Sequence, residues 1–434
     1  METAKAQSMG TDRDLHLEEF GYNTNNIHPS LIEYDLMTDS WTELLSPQMS
    51  DRMLSLQDQV DFTDRKMHVA DLFPFKKFIY TSQGRSAEAF FWRAAGKKDK
   101  KVIQNLLFPT SRVHVAMSRM MSVEMPVDHV FELQSHDLFR GNLDCGKLRD
   151  YLRDEGAESV AYIYIEAENN ASGGYPVSMS NIREISSIIS EFDISMVLDS
   201  TRLIENAVLI QRYESGYENA SIRDIIQEFC SYFDSMTCSL AKDFGITRGG
   251  LIATNDERLF YRAQDAVATY GPGINSTDKA IINAAIKGWP FIEKAVVSRV
   301  NQVESFHAAL TSKELSIATP APGHCILLDV ADYLDISAYT NPVVAFVNWI
   351  YLQTGIRAGL HVSGMSKPYS QPTFVRFAIP LCTPDENIEV LAVQLAELLQ
   401  DTTAVPDMKR TLTNPGVTGM MRAHYSPLAV PSGC

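Results

Sequence analysis

The sequence predicts an α/β protein built on a mainly parallel sheet, and three observations carry that prediction. Short apolar runs such as AYIYIEA (161–167) and ISMVLDS (194–200) read as buried strands. Longer segments of helical period separate them, as in SNIREISSIISEF, where Ile182, Ile185, Ile188 and Ile189 fall on one face. Gly-containing turns such as NNASGGYPVSM join the two. From about residue 60 to 290 this strand–helix–strand rhythm repeats, which is the pattern of parallel pairing with helices on the faces.

Residues 1–60 read as an arm plus part of a smaller domain, 61–300 as the large domain and 301–434 as the small one. Ser180 or Asn181 is the expected cap of the helix that follows the glycine turn. After about 300 the character shifts to α+β. HCILLDVADYL and TFVRFAIP read as strands, and NPVVAFVNWIYLQTG and PDENIEVLAVQLAELLQ as helices. The last helix has Thr383 as its expected cap, Pro384 at its first position, and Asp385 and Glu386 in the first turn. Ile388, Leu391, Leu395 and Leu398 follow at helical spacing. The tail after 401 reads as a loop.

A chain of 434 residues exceeds what one compact core accommodates, and 45% apolar with 21% charged residues is ordinary globular composition. A net charge of −16 repels phosphate backbones and anionic lipid, so neither nucleic acid nor membrane is an expected partner. No apolar run reaches a membrane-spanning length, and the N-terminus lacks a signal-peptide core. The six cysteines have no metal-site spacing and read as free thiols. A cytoplasmic protein without a metal is the expectation.

Chemistry in such a sheet collects at the carboxyl ends of strands. Three polar groups stand at expected ends: Asp199 in MVLDSTR, Lys242 in MTCSLAKDFG and Asn170 in EAENNASGG. An acid at one strand end and a lysine beyond the next strand suit a pyridinium cofactor. The carboxylate keeps the ring nitrogen protonated, and the amine forms an imine and moves protons.

Six segments occur in the order of one family: SQGRSAEAFF (82–91), NLLFPTSR (105–112), NNASGGYPVSMSN (169–181), VLDSTRLIENA (197–207), SLAKDFGITRGG (239–250) and VRFAIP (375–380). The chain resembles the aromatic amino acid β-eliminating lyases, the tryptophanase and tyrosine phenol-lyase group, from about residue 36 to 380. That resemblance implies a fold-type-I pyridoxal 5'-phosphate enzyme acting on an amino acid and assembled as a homodimer or homotetramer. It assigns Lys242 to the cofactor imine and the Cα proton, Asp199 to the pyridine nitrogen, and Arg202 and Asn170 to the neighbourhood of the phenolic oxygen. It places Phe108 on the ring face, and Gln83, Gly84, Arg85 and Ser239 around the phosphate, where glycine and a helix start allow close N–H donation. Arg376, with Asn170 and Ser40, falls to the substrate carboxylate.

The departures bear on substrate. The family's GDEAY-like segment, whose tyrosine protonates the aromatic leaving group and whose glutamate binds a monovalent cation, corresponds here to RMLSLQDQVDFTDRK, which has no tyrosine. The glycine expected after Ser40 is Trp41, the first of the usual paired lysines is Ala241, and the pair after the carboxylate arginine reads Pro380-Leu381. His361 aligns with the arginine that contacts the ring in phenol-lyases, and His424 in RAHY falls near a family histidine, with Tyr425 beside it. The expected function is a pyridoxal-phosphate-dependent lyase that removes the Cα proton and eliminates a Cβ group, with neither tryptophan nor tyrosine as substrate. An aminotransferase, decarboxylase or aldol-type enzyme, and a non-catalytic binding protein of the same fold, stay open.

Overall fold

The computed structural model describes residues 12–40, 68–271, 273–361, 374–412 and 423–431. A seven-stranded sheet dominates. In chain order its strands are β2 (Lys77–Thr81), β3 (Lys101–Gln104), β4 (Met121–Glu124), β5 (Val160–Glu166), β6 (Ser195–Asp199), β7 (Ser235–Ser239) and β8 (Gly250–Thr254), after a short β1 (Tyr34–Leu36) that belongs elsewhere. The spatial order is β2-β8-β7-β6-β5-β3-β4. Only β8 runs against its neighbours, β2 and β7. The chain moves outward from β3 to β4 and then returns to β5 on the other side of β3, which opens a crevice at the strands' carboxyl ends.

Helices cover both faces, and β5, an inner strand, is buried along its whole length. Its side chains alternate between two cores. Ile163 and Ile165 join a large core that includes Ile182 and Ile185 of α4 (Met179–Ile189), beyond α3 (Cys145–Glu155). Tyr162 and Tyr164 face the opposite core, with Ala87, Phe91 and Trp92 of α1 (Gly84–Ala95) and Val115 of α2 (Pro109–Met117). On the first face α5 (Leu203–Tyr213) and α6 (Ile222–Ser231) complete the cover; on the second, α7 (Glu257–Tyr270) does. The cap of α4 is Ser178, whose hydroxyl accepts from the Asn181 N–H, rather than Ser180 or Asn181.

A helix α8 (Ser276–Lys287) leads into the long α9 (Trp289–Thr311). Ile292, Val296 and Val300 of α9 belong to the large core, and Val303, Phe306 and Leu310 to a separate one. That second core lies against a four-stranded sheet, β1-β10-β11-β9, formed with β9 (Cys325–Asp329), β10 (Ile356–His361) and β11 (Phe374–Ala378). The helix α10 (Pro342–Thr354) ends on Gly355 in the left-handed region (φ 77°), as its sequence requires. In α11 (Asp385–Leu398) the cap is Pro384, and the Thr383 hydroxyl turns back to the Pro380 carbonyl. The tail is not all loop: Met408–Leu412 (β12) and His424–Pro427 (β13) pair as an antiparallel ribbon. The arm wraps this side, with Leu17, Ile27 and Ile32 packed against Tyr351.

No helix among the described residues is long and apolar enough to cross a membrane. Cys145, Cys230, Cys238 and Cys325 are buried thiols outside any disulfide.

Candidate active site

Successive strands deliver the expected groups to the crevice. Asp199 closes β6, and its Oδ1 accepts from the Thr201 N–H (3.0 Å) and its Oδ2 from the Tyr164 hydroxyl (3.2 Å). Burial raises its pKa, against the pull of these bonds. Glu166 lies directly across the ladder from Asp199. Burial and then the Asp199 charge hold Glu166 well above the carboxylate range.

Lys242 follows β7. Its Nζ donates to the Ser40 hydroxyl at 3.1 Å, so the strand end and the arm meet at the amine. The side chain keeps an opening, yet loss of hydration lowers its pKa, with Arg202 and Arg376 pushing the same way and Asp39 and Asp199 opposing.

Gln83, Gly84 and Arg85 form the start of α1, with Gln83 extended at the cap and Arg85 exposed. The Gly84 backbone abuts Ser239: a Cβ on Gly84 would lie 2.4 Å from the Ser239 Cβ and 2.7 Å from its Cα. Only glycine permits that approach. Phe108, half-buried, caps α2 just beyond β3.

Arg376 reaches over from β11. Its Nη1 donates to Asn170 Oδ1 (2.6 Å) and its Nη2 to the Met37 carbonyl (3.0 Å), while Nε is buried with no hydrogen-bond partner among the described residues. His361, buried at the end of β10, has Nε2 3.3 Å from the Ala171 carbonyl. Burial and then the Arg376 charge pull its pKa down to about 3, so the ring is neutral.

Arg202 Nε and Nη2 grip the two oxygens of Asp39 at 2.7 and 2.9 Å in a buried fork. His424 is exposed on β13 and its ring lies against Gly21 of the arm, while Tyr425 is sealed in the second core. The structure places His424 and Tyr425 with the arm and the ribbon of β12 and β13. Trp41 and the RMLSLQDQVDFTDRK segment lie outside the described residues.

The sequence reading missed what stands behind these groups. Asp243, next to Lys242, accepts from Arg299 Nη2 (2.7 Å) and from the N–H of Ile204 (3.0 Å) at the start of α5. Arg299 also binds Glu205, and Glu168 binds His324 Nδ1. Glu168, Glu205 and His324 each offer a ligand atom within 4.8 Å of the others, all buried. Burial raises Glu168 well above its usual range and Glu205 to about 7. The available signals were carboxylates inside the apolar run YIYIEAE, the acid in LMTDSWT, and the histidine opening HCILLDV.

An amine and a carboxylate from neighbouring strands, a glycine-lined helix start, and an arginine with a free buried donor fit pyridoxal phosphate and an amino-acid carboxylate. Together with the mostly parallel sheet they define a fold-type-I pyridoxal-phosphate enzyme. Residues 35–358 match the family model described as beta-eliminating lyase, and the chain belongs to that family. It is 31% identical over 362 residues to a tyrosine phenol-lyase of Clostridium tetani, covering 80% of this chain and 77% of that one. It is 29% identical over 442 residues to a tyrosine phenol-lyase of Symbiobacterium, covering 96% and 95%. A protein named "Probable tryptophanase" from Halobacterium salinarum is 31% identical over 360 residues, with 80% of each covered. Among solved structures, an aminotransferase of Staphylococcus aureus superposes with a TM-score of 0.56 at 14% identity, covering 84% of this chain and 93% of that one. An Escherichia coli protein with a methionine aminotransferase function gives 0.57 at 14%, with 90% of each chain covered. These two share the fold. The protein is a pyridoxal-phosphate-dependent lyase.

Proposed function

We propose that this lyase eliminates a Cβ substituent from an L-amino acid that is neither tryptophan nor tyrosine. The observation that carries the proposal is that Asp199 and Arg376, the latter held by Asn170, both bear on the charge of the Lys242 amine. The cofactor, when bound, supplies an electron sink conjugated to the substrate Cα.

The chain's own residues do the rest. Gln83, Gly84, Arg85 and Ser239 hold the phosphate, Phe108 covers the ring face, and Asp199 keeps the ring nitrogen protonated. Arg202, fixed by Asp39, borders the phenolic oxygen. Arg376 takes the substrate carboxylate with its unpartnered Nε–H, and Asn170 and Ser40 complete that clamp. Lys242, with an amine that burial makes easier to deprotonate, accepts the Cα proton. The Cβ substituent then departs with its bonding electrons, and hydrolysis of the remaining enamine yields a keto acid and ammonia. Neutral His361, beside the Asn170 loop, faces the side chain in place of the cationic arginine expected of a phenol-lyase. The proposal includes a homo-oligomer and cytoplasmic residence; light scattering tests the assembly.

The experiment is to record the visible spectrum of the purified protein and screen amino acids for keto-acid release. Release from a substrate with a Cβ leaving group, but not from tryptophan or tyrosine, is expected. A strict requirement for an added keto acid would favour transamination and sink the proposal.

A further inference from the structure

We infer that Glu88 and Tyr164 are positioning residues that govern how Asp199 presents its carboxylate to the cofactor's ring nitrogen. The inference rests on the reading of Asp199 proposed above. Tyr164 stands on the face of β5 that packs on α1, with its ring edge-on to Trp92. Its hydroxyl is 3.2 Å from Asp199 Oδ2 and 3.4 Å from Glu88 Oε1. One hydroxyl proton thus serves two carboxyl groups. Glu88 takes its other bonds from Thr110, at 2.8 Å to Oε2, and from Ser111. Glu88, Tyr164 and Asp199 are all buried.

Two anions sharing one donor in a buried site repel each other, so the arrangement favours one proton more than the hydroxyl provides. Burial and then the Asp199 charge accordingly push Glu88 up to about 7. Protonated Glu88 donates to the Tyr164 oxygen, and Tyr164 donates to Asp199, which leaves Asp199 as the anion of the chain. Once Glu88 ionises, it competes for the Tyr164 proton. Other charged or titratable groups bear on Asp199: Glu166 across the ladder, and Arg202, Lys242 and Cys238 from the following segments. None of these connects Asp199 to α1 through a hydrogen bond; Tyr164 and Glu88 do.

Position gives Glu88 its reach. It lies one turn into α1, whose first residues form the candidate phosphate cradle. Its donors Thr110 and Ser111 sit in the first turn of α2, directly after Phe108. One carboxyl group therefore ties together the elements assigned to the phosphate, the ring face and the ring nitrogen.

The test uses Tyr164→Phe and Glu88→Gln, each close in shape to the native side chain. Wild type and variants are titrated with pyridoxal phosphate across pH, reading the visible absorption band and the dissociation constant. Wild type is expected to show a step in the band near neutral pH that both variants lose, and cofactor binding is expected to weaken roughly tenfold in Tyr164→Phe. A merely structural role would lower the melting temperature without moving the pH profile of the band. Should Tyr164→Phe lose its fold, Glu88→Gln carries the same spectroscopic test. Folded variants with the wild-type band, step and affinity overturn the inference alone. A wild-type protein that takes up no pyridoxal phosphate overturns it together with the proposed function.

Discussion

Arg376 donates a 2.6 Å hydrogen bond to Oδ1 of Asn170, joining the sheet of the second core to the loop that leaves β5. The bond fixes the orientation of the guanidinium before a carboxylate arrives, which lowers the ordering cost of binding one. Replacing Arg376 with Ala should therefore weaken amino-acid binding by roughly 10- to 100-fold, the range for losing a charged hydrogen bond. Asn170→Ala, which frees rather than removes the guanidinium, should cost less. Titrating the cofactor's absorption band with amino acid checks both, and equal affinity in wild type and Arg376→Ala would remove the assignment.

Gly84 gives a steric prediction. Its missing Cβ leaves room for Ser239, and a methyl group there would meet backbone at 2.7 Å. Backbone cannot swing aside as a flexible side chain can, so Gly84→Ala should push the start of α1 away from β7. Expected is at least a tenfold rise in the pyridoxal-phosphate dissociation constant with the circular dichroism spectrum unchanged. Tight binding by Gly84→Ala would show that the phosphate sits elsewhere.

The parts of the site legible in the sequence were those set by chain-local patterns. Lys242, Asp199 and Asn170 stand at strand ends, and alternation between apolar runs and glycine turns locates such ends. The start of α1 and the cap of α10 follow from local chemistry in the same way. What escaped is set by distant pairing. Asp39 and Arg202 are 163 positions apart in sequence, and nothing local distinguishes Asp39 from a surface acid. His324 reads as an ordinary residue opening a strand until Glu168 comes beside it. The ribbon of β12 and β13 went unread because its residues are mostly exposed and lack a clean apolar alternation. That same ribbon carries His424, whose ring lies against Gly21 of the arm.

His361 makes a prediction about acid stability. In the fold its pKa falls to about 3, whereas an unfolded histidine takes a proton near 6.5. The folded state thus binds fewer protons between those values. Its contribution to stability is full above pH 6.5 and is lost as pH falls toward 3. From pH 7 to pH 5 the loss attributable to this ring should be about 2 kcal/mol. Urea unfolding of wild type and His361→Gln at both pH values measures it. The variant should lose less stability on acidification; an equal loss in both would mean that the ring already carries its proton.

The Arg202–Asp39 fork allows the sharpest test of how the arm is coupled to the amine. Both side chains are buried, and Asp39 sits beside Ser40, the acceptor of the Lys242 N–H. Burial opposes ionisation of Asp39, but the Arg202 guanidinium outweighs it and holds the carboxyl well below its usual range. Asp39 therefore stays charged at any pH the enzyme meets, and its field raises the pKa of Lys242. Asp39→Ala leaves a buried guanidinium without its counter-ion, which should cost roughly 3–5 kcal/mol. Removing both charges with Asp39→Ala and Arg202→Met should return much of that loss, because the stranded charge disappears. Lys242 distinguishes the two readings of the pair. If the fork serves only stability, the double variant should titrate its active-site amine as wild type does. If Asp39 also sets the charge around Lys242, Asp39→Asn should lower the amine's pKa, read from the pH dependence of cofactor uptake. An unchanged profile in Asp39→Asn would confine the pair to holding the arm.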